Sequence, residues 1–193
     1  MFYFFLKGYY YNKEKLKAIL SNLRLIKSAT FMVVVFLGSL AAAKIGNEFS
    51  LYRTFLASVV SFFGWQFSIV INDIYDYDID KISNKTRPLV TRALNKSEYW
   101  FVGFVFAFFV LSFAAMLSLQ ILILAISALA FAIIYSMPPF RLRKNFAGNF
   151  IMGLSLVISF AVGALSSNGF ALLFSGKYIV FLIVTLECII FTP

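Results

Sequence analysis

The sequence predicts an all-α polytopic membrane bundle, on three observations. Mean hydropathy is +0.90, and 62% of the 193 residues are hydrophobic. Charged residues make up only 13%, about half the share in a soluble domain. The apolar residues gather in runs of about 17 to 25, long enough for a helix to cross a ~30 Å hydrocarbon core. A spanning segment must satisfy its own backbone, which favours helices. The expectation is one membrane domain over 1–193, with an interfacial segment at 1–27 and transmembrane helices over 28–193.

Met1–Leu6 is apolar but too short for a signal-peptide core, so no cleavage is expected. Tyr9, Tyr10 and Tyr11 read as interface anchors. From Lys13 to Lys27, Leu16, Ile19, Leu20, Leu23 and Ile26 recur at helical spacing. Lys13, Glu14, Lys15, Lys17 and Arg24 take the other faces, so one amphipathic helix in the headgroup region is expected. Arg24 and Lys27 read as snorkelling toward the surface; the alternative turns both inward to an anionic substrate. Six hydrophobic spans follow near 28–46, 51–74, 99–117, 120–136, 148–166 and 177–192. Gly38, Gly64, Gly103, Gly153 and Gly163 within them read as helix-packing positions. Pro138-Pro139 should end the fourth span, because proline disfavours helix in the residue before it.

Composition excludes whole classes of chemistry. There is no histidine, and Cys188 is the only cysteine. Histidine bases and ligands, Ser-His triads, intrachain disulfides and thiolate zinc clusters are all ruled out. The net charge of +9 does not indicate nucleic acid, because the cations sit between hydrophobic spans. Fourteen of the seventeen Lys and Arg fall in the N-terminal segment and in the connectors at 75–98 and 137–147; Lys44, Arg53 and Lys177 do not. The positive-inside rule then places the N-terminus and both basic connectors in the cytoplasm, on one membrane face.

Chemistry concentrates in Asn72–Pro88, NDIYDYDIDKISNKTRP, where four of the eight acids fall within eight residues. If the preceding helix continues, Asn72, Asp73, Asp76 and Asp80 share one face and Asp78 points away. Carboxylates so close repel, so a cation should offset them, and removing the central charge at Asp76 should stabilise the chain slightly. Carboxylates with an amide oxygen suit a hard divalent ion, Mg2+, held by one or two carboxylates and substrate phosphates. Lys81, Lys85 and Arg87 behind the acids fit a phosphate-bearing substrate. The bland alternative is a solvated loop of mixed charge.

These residues also carry a resemblance. NDxxDxxxD ending in Arg87-Pro88 resembles the first aspartate-rich motif of the UbiA-type intramembrane prenyltransferases. YSMPPFRLRK, from Tyr135 to Lys144, followed by Gly148-Asn149, is similar to that family's second basic connector, with Arg143 where lysine is usual. The resemblance implies a Mg2+-dependent transfer of a polyprenyl group, geranylgeranyl above all, from its diphosphate to a hydrophobic acceptor. The implied acceptors are geranylgeranylglyceryl phosphate, a chlorophyll-type molecule or an aromatic quinone precursor. It implies metal binding by Asn72, Asp73, Asp76 and Asp80, and catalytic roles for Asp76, Asp80 and Arg141. Substrate contacts are implied for Arg87, Lys81, Tyr135, Arg143, Lys144 and Asn149, with Arg24 a further candidate. Typical members have nine spans and a second aspartate-rich motif after the sixth. No Asp follows Asp80 here, so the chain is expected to be C-terminally truncated, or a divergent short homologue, covering about two thirds of a member. The alternatives from other classes are a cation-binding transporter, a non-catalytic membrane subunit or an inactive fragment.

The charge asymmetry makes an immediate test. A reporter fused after Asn95 is expected to read as cytoplasmic and one at Asn47 as external. Reversal of either would separate the two basic connectors and dissolve any shared site.

Overall fold

The computed structural model describes residues 13–44, 48–144 and 146–167. The three tyrosines near the N-terminus, Asn47 and the sixth span at 177–192 lie outside the described residues. Helix α1 covers 13–22. It is followed by α2 (Leu25–Lys44), α3 (Leu51–Tyr75), α4 (Tyr77–Ser83), α5 (Lys96–Leu117), α6 (Leu119–Ser136), a single 3-10 turn at Leu142–Lys144, and α7 (Phe146–Ser166). No strand occurs among the described residues. Five of these helices are long and apolar enough to cross a membrane.

The one helix expected over 13–27 breaks at Leu23–Arg24. The amides of Leu23 and Leu25 donate to Leu20 O and Leu23 O, at 3.2 and 3.0 Å, in place of α-helical partners. The Arg24 carbonyl then accepts the Ser28 amide at 2.9 Å, inside the first turn of α2. The first span therefore begins at Leu25, three residues earlier than expected. Other boundaries follow capping chemistry. Asn95 and Glu98 form a reciprocal capping box that starts α5 at Lys96, and the Ser118 hydroxyl accepts from Ile121 N at the start of α6. Helix α6 ends at Ser136, and Met137, ahead of the two prolines, is extended as expected.

Helix α3 is the hub, packing against α2, α5, α6 and α7, while α2 and α7 close on each other. Val35, Val60, Val110, Ile121, Ala125 and Val162 from all five spans meet in the main core. The outer faces of α5 and α6 leave Phe101, Phe104, Phe108, Ile123 and Ile126 exposed. On a multi-pass membrane protein that is a lipid-facing surface, for which apolar exposure carries no penalty.

Small residues let α2 and α7 meet backbone to backbone. A β-carbon at Gly38 would overlap the Phe160 carbonyl, and one at Gly163 the Val35 carbonyl. Gly64 differs from the packing role expected for it: nothing lies within 4 Å of where its β-carbon would be, because it faces a cleft. At the end of the bundle where α3 begins, Ser39 shares hydrogen bonds of 2.6 Å with Thr54 and with Ser167. Arg53 there donates to the terminal carbonyls of Ser166 (2.8 Å) and Leu117 (3.3 Å). That satisfies acceptors which α5 and α7 cannot satisfy themselves.

Gly163→Ala is expected to destabilise the protein by about 1–3 kcal/mol, the cost of overpacking a closed contact. Gly64→Ala is expected to be neutral or to stabilise by about 0.5–1 kcal/mol through helix propensity. Thermal unfolding in detergent measures both; equal effects would mean the α2–α7 contact is not close in solution.

Candidate functional site

At 25 residues, α3 is about 37 Å long and outruns a ~30 Å hydrocarbon core. Its last turn can therefore stand at headgroup depth, and there the acids begin. The helix is interrupted at Asp76, whose φ of −97° and ψ of 2° fall in the sparsely populated region where active-site residues are frequent. The hydrogen bonds keep helical register across the break: Asp76 N to Asn72 O at 2.9 Å and Asp80 N to Asp76 O at 2.8 Å. The acids thus remain on one side. Asp73, Asp76 and Asp80 are 1%, 5% and 5% exposed, whereas Asp78 turns outward and pairs with Lys81 at 3.1 Å.

Three arginines neutralise the buried acids. An Arg87 nitrogen lies 3.0 Å from Asp73 Oδ1 and 3.1 Å from Oδ2, and its Nε is 4.0 Å from Asp80. Arg141 donates to Asp76 Oδ1 (3.2 Å) and to the Tyr75 carbonyl (3.1 Å). Arg143 pairs with the second oxygen of Asp76. The Asn72 amide, oriented by its neighbours, donates to Asp76 at 2.8 Å and accepts from Arg143 at 3.2 Å. Asn84 donates to Asp80 at 3.0 Å. Partial burial draws the Arg143 pKa down, yet a guanidinium stays charged throughout the physiological range.

The backbone of the strap between α6 and α7 aims these cations. Arg141 has φ of 37°, a left-handed conformation costing a non-glycine residue about 1–2 kcal/mol. Gly148, one turn into α7, lets that helix seat directly on the strap, since a β-carbon there would lie 2.7 Å from Arg143 Cα. The strap thus belongs to the same unit as the acids.

Several expected site residues are placed elsewhere. Lys81 is exposed on the far side of α4, with its ammonium 4.1 Å from the centre of the Tyr77 ring. Lys85 is also exposed, as is Asn149 on α7. The Lys144 side chain lies outside the described residues. Tyr135 is half-buried and lines an apolar cleft rather than the charged cluster. Arg24 is half-buried, its side chain partly covered and partly open to the surface. Lys27 remains exposed.

Two participants escaped the sequence reading. The Asn22 amide donates to Asp73 Oδ2 (2.9 Å) and to the Tyr99 hydroxyl (2.7 Å), and the Tyr99 hydroxyl donates to the same Asp73 oxygen (3.0 Å). Asn22 had a legible signal. It falls three residues after Ile19, on the buried face of α1, where an amide needs a partner.

The cleft runs between α2, α3, α6 and α7, lined by Phe31, Trp65, Leu129 and Tyr135 among others, with Ser61, Ser155 and Ser159 along one wall. On α3 the lining residues Val60, Gly64 and Ser68 are four apart, and the next positions in that row are Asn72 and Asp76. That row is a ridge that winds by about 40° at each step, leading from the cleft toward the end of α3 where the charged cluster stands.

Among the described residues no three acids converge closely enough to cage a metal ion. The cluster instead offers hard oxygen donors now paired with cations. This suits Mg2+, which takes one or two carboxylates and fills its remaining positions with phosphate and water.

The pairing of Asp76 reverses one expectation. Repulsion among the acids is already offset, so Asp76→Asn leaves Arg141 and Arg143 without their carboxylate. A loss of about 2 kcal/mol is expected, less than for a fully buried pair because both guanidiniums keep some exposure. Asp78→Asn is expected to change stability by under about 0.5 kcal/mol, as for exposed pairs. Melting in detergent separates them; a more stable Asp76→Asn variant would disprove the ion-paired arrangement.

Residues 31–192 match the model of the UbiA prenyltransferase family. Digeranylgeranylglyceryl phosphate synthase of Methanococcus maripaludis is 35% identical over 83 residues, 43% of this chain and 30% of that protein. The chloroplastic chlorophyll synthase of Avena sativa is 34% identical over 45% of this chain and 25% of its own length. A solved structure of digeranylgeranylglyceryl phosphate synthase in membranes superposes with a TM-score of 0.74 at 25% identity, over 92% of this chain and 59% of that one. The fold is also that of a UbiA homolog from Archaeoglobus fulgidus bound to DMAPP and Mg2+, with a TM-score of 0.70 at 21% identity over 87% of this chain and 60% of that one. The chain thus spans at most a third of these curated relatives in matched sequence, and about 60% of the solved chains. With helices, connectors and aspartate-rich motif all in keeping, this chain belongs to the UbiA prenyltransferase family.

Proposed function

We propose that the protein transfers a polyprenyl group, geranylgeranyl being the best-supported length, from its diphosphate to a lipid acceptor at the cytoplasmic face of the membrane. The observation that carries this reading is an apolar cleft beside α3 together with buried carboxylates paired with arginines at the end of the same helix. An amphiphile with an anionic head and a long apolar tail matches that sequence of environments. The relatedness to a digeranylgeranylglyceryl phosphate synthase supports geranylgeranylglyceryl phosphate as the acceptor, ahead of a chlorophyll-type molecule or a quinone precursor. A transporter is disfavoured, since its ion site would sit near the bilayer midplane and not at a helix end.

Asn72, Asp76 and Asp80 would hold Mg2+, which when bound neutralises diphosphate oxygens and makes the diphosphate a better leaving group. Arg141 and Arg143 exchange their carboxylate partner for diphosphate oxygens, at which guanidinium forks bind well. Arg87, fixed by Asp73, faces the same head group. Charge stabilisation on the departing diphosphate lets the allylic C–O bond ionise. The acceptor nucleophile then attacks the allylic carbon and gives up its proton. The cleft keeps the prenyl tail away from water, and its aromatic rings, Trp65 and Tyr135 among them, stabilise positive charge on the allyl group.

The test is prenyl transfer by the purified protein from radiolabelled geranylgeranyl diphosphate, with Mg2+, to a panel of the three acceptor classes. Wild type is expected to label the glyceryl phosphate lipid. Arg141→Ala with Arg143→Ala is expected to weaken diphosphate binding at least tenfold, each charged hydrogen bond being worth about 1.5–3 kcal/mol, while insertion is retained. Unchanged binding in a correctly inserted double variant would reduce the strap to a topology signal.

A further inference from the structure

We infer that Asp73 is a positioning residue and not a metal ligand, and that Asn22 and Tyr99 act through it to hold Arg87 toward the diphosphate. The inference rests on the proposed function and concerns which of the motif's carboxylates does what.

The acids differ in the partners they would have to give up. Asp76 is held by Arg141 and Arg143, and Asp80 by Asn84 and, more distantly, by Arg87. Arginines can leave a carboxylate for an arriving diphosphate without losing charge compensation. Asp73 is different, because two of its three hydrogen-bond donors are neutral. Its Oδ2 accepts from Asn22, Tyr99 and Arg87 at 2.9, 3.0 and 3.1 Å. Its Oδ1 makes no hydrogen bond, yet the same guanidinium stands 3.0 Å away. Asp73 is 1% exposed and Tyr99 2%. Oδ2 already carries the half-buried Asn22 amide, the buried Tyr99 phenol and Arg87, and the same guanidinium stands against Oδ1, so a metal could reach Asp73 only by displacing Arg87 or by stranding the phenol.

The network is closed on itself. Asn22 uses both amide hydrogens, toward Asp73 and Tyr99, and its oxygen accepts from Arg87 at 3.2 Å. Arg87 is therefore gripped from two sides, by Asp73 and by Asn22, while its Nε faces Asp80. Asn22 is the last residue of α1, which is also tied to the first turn of α5 by the Lys15–Glu98 pair. The interfacial helix thus contributes a residue to the site.

The experiment titrates Mg2+ and geranylgeranyl diphosphate against the purified full chain in detergent, reading diphosphate affinity and the Mg2+ midpoint separately. Tyr99→Phe and Asn22→Ala are expected to weaken diphosphate binding at saturating Mg2+ about five- to tenfold, the scale of one lost hydrogen bond. Their Mg2+ midpoint should stay within about twofold of wild type, and Asp73→Asn should follow the same pattern more strongly. Asp76→Asn, by contrast, should move the Mg2+ midpoint at least tenfold, since it removes an anionic ligand. Adding Tyr99→Phe to Arg87→Ala should cost nothing further in affinity, because both act at one point. A Mg2+ midpoint displaced as far by Asp73→Asn as by Asp76→Asn overturns the inference, as does full additivity of Tyr99→Phe with Arg87→Ala. Failure of wild type to bind the prenyl diphosphate sinks the proposed function itself, a distinct result from any difference among the variants.

Discussion

Neutralising three carboxylates at the end of a membrane-spanning helix is the constraint on which the rest of this structure depends. Asp73, Asp76 and Asp80 are almost wholly buried, and buried charge is tolerated only when paired and hydrogen-bonded. Helix α3 cannot supply the counter-charges, since Leu51–Tyr75 has no cation beyond Arg53 at the opposite end. They must be brought in from outside α3: Arg87 from the connector after α4, and Arg141 and Arg143 from the strap after α6.

That requirement accounts for local features that would otherwise look costly. Arg141 adopts a left-handed backbone, and its guanidinium finds both the Tyr75 carbonyl and Asp76. Gly148 removes the side chain that would hold α7 off the strap. The break at Asp76 and the short helix beyond it keep Asp80 turned inward while releasing Asp78 to solvent. Strain accepted at these few positions is offset by the ion pairs that they complete. At the opposite end Arg53 plays a purely structural part, drawing the ends of α5 and α7 onto the start of α3. Both ends of the hub helix are therefore fastened by arginines, one set paired with buried carboxylates and the other bound to the terminal carbonyls of α5 and α7.

The sequence by itself determined the fold class, the first five spans to within a few residues, and the shared side to which Asp73, Asp76 and Asp80 turn. These are local properties: apolar run length, proline placement and a four-residue spacing survive whatever surrounds them. The same locality explains Asp78, whose outward direction follows from its position two residues from Asp76 and Asp80. What pairs with what was decided only by the tertiary structure. Residues 13–27 read as one amphipathic helix, yet the chain breaks at Leu23–Arg24. Lys81 reads as part of a phosphate-binding run, yet helical phase sends it outward with Asp78. Asn22 and Tyr99 meet across 77 positions of chain, and Gly64 borders a cleft, not a neighbouring helix. Even the sign of the Asp76 contribution changes, because repulsion among the acids is written in their spacing, whereas Arg141 and Arg143, which pair with Asp76, arrive from 65 or more residues away. Helical periodicity fixes directions within one element. Compensation of buried charge is a property of the space between elements, and only packing defines that space.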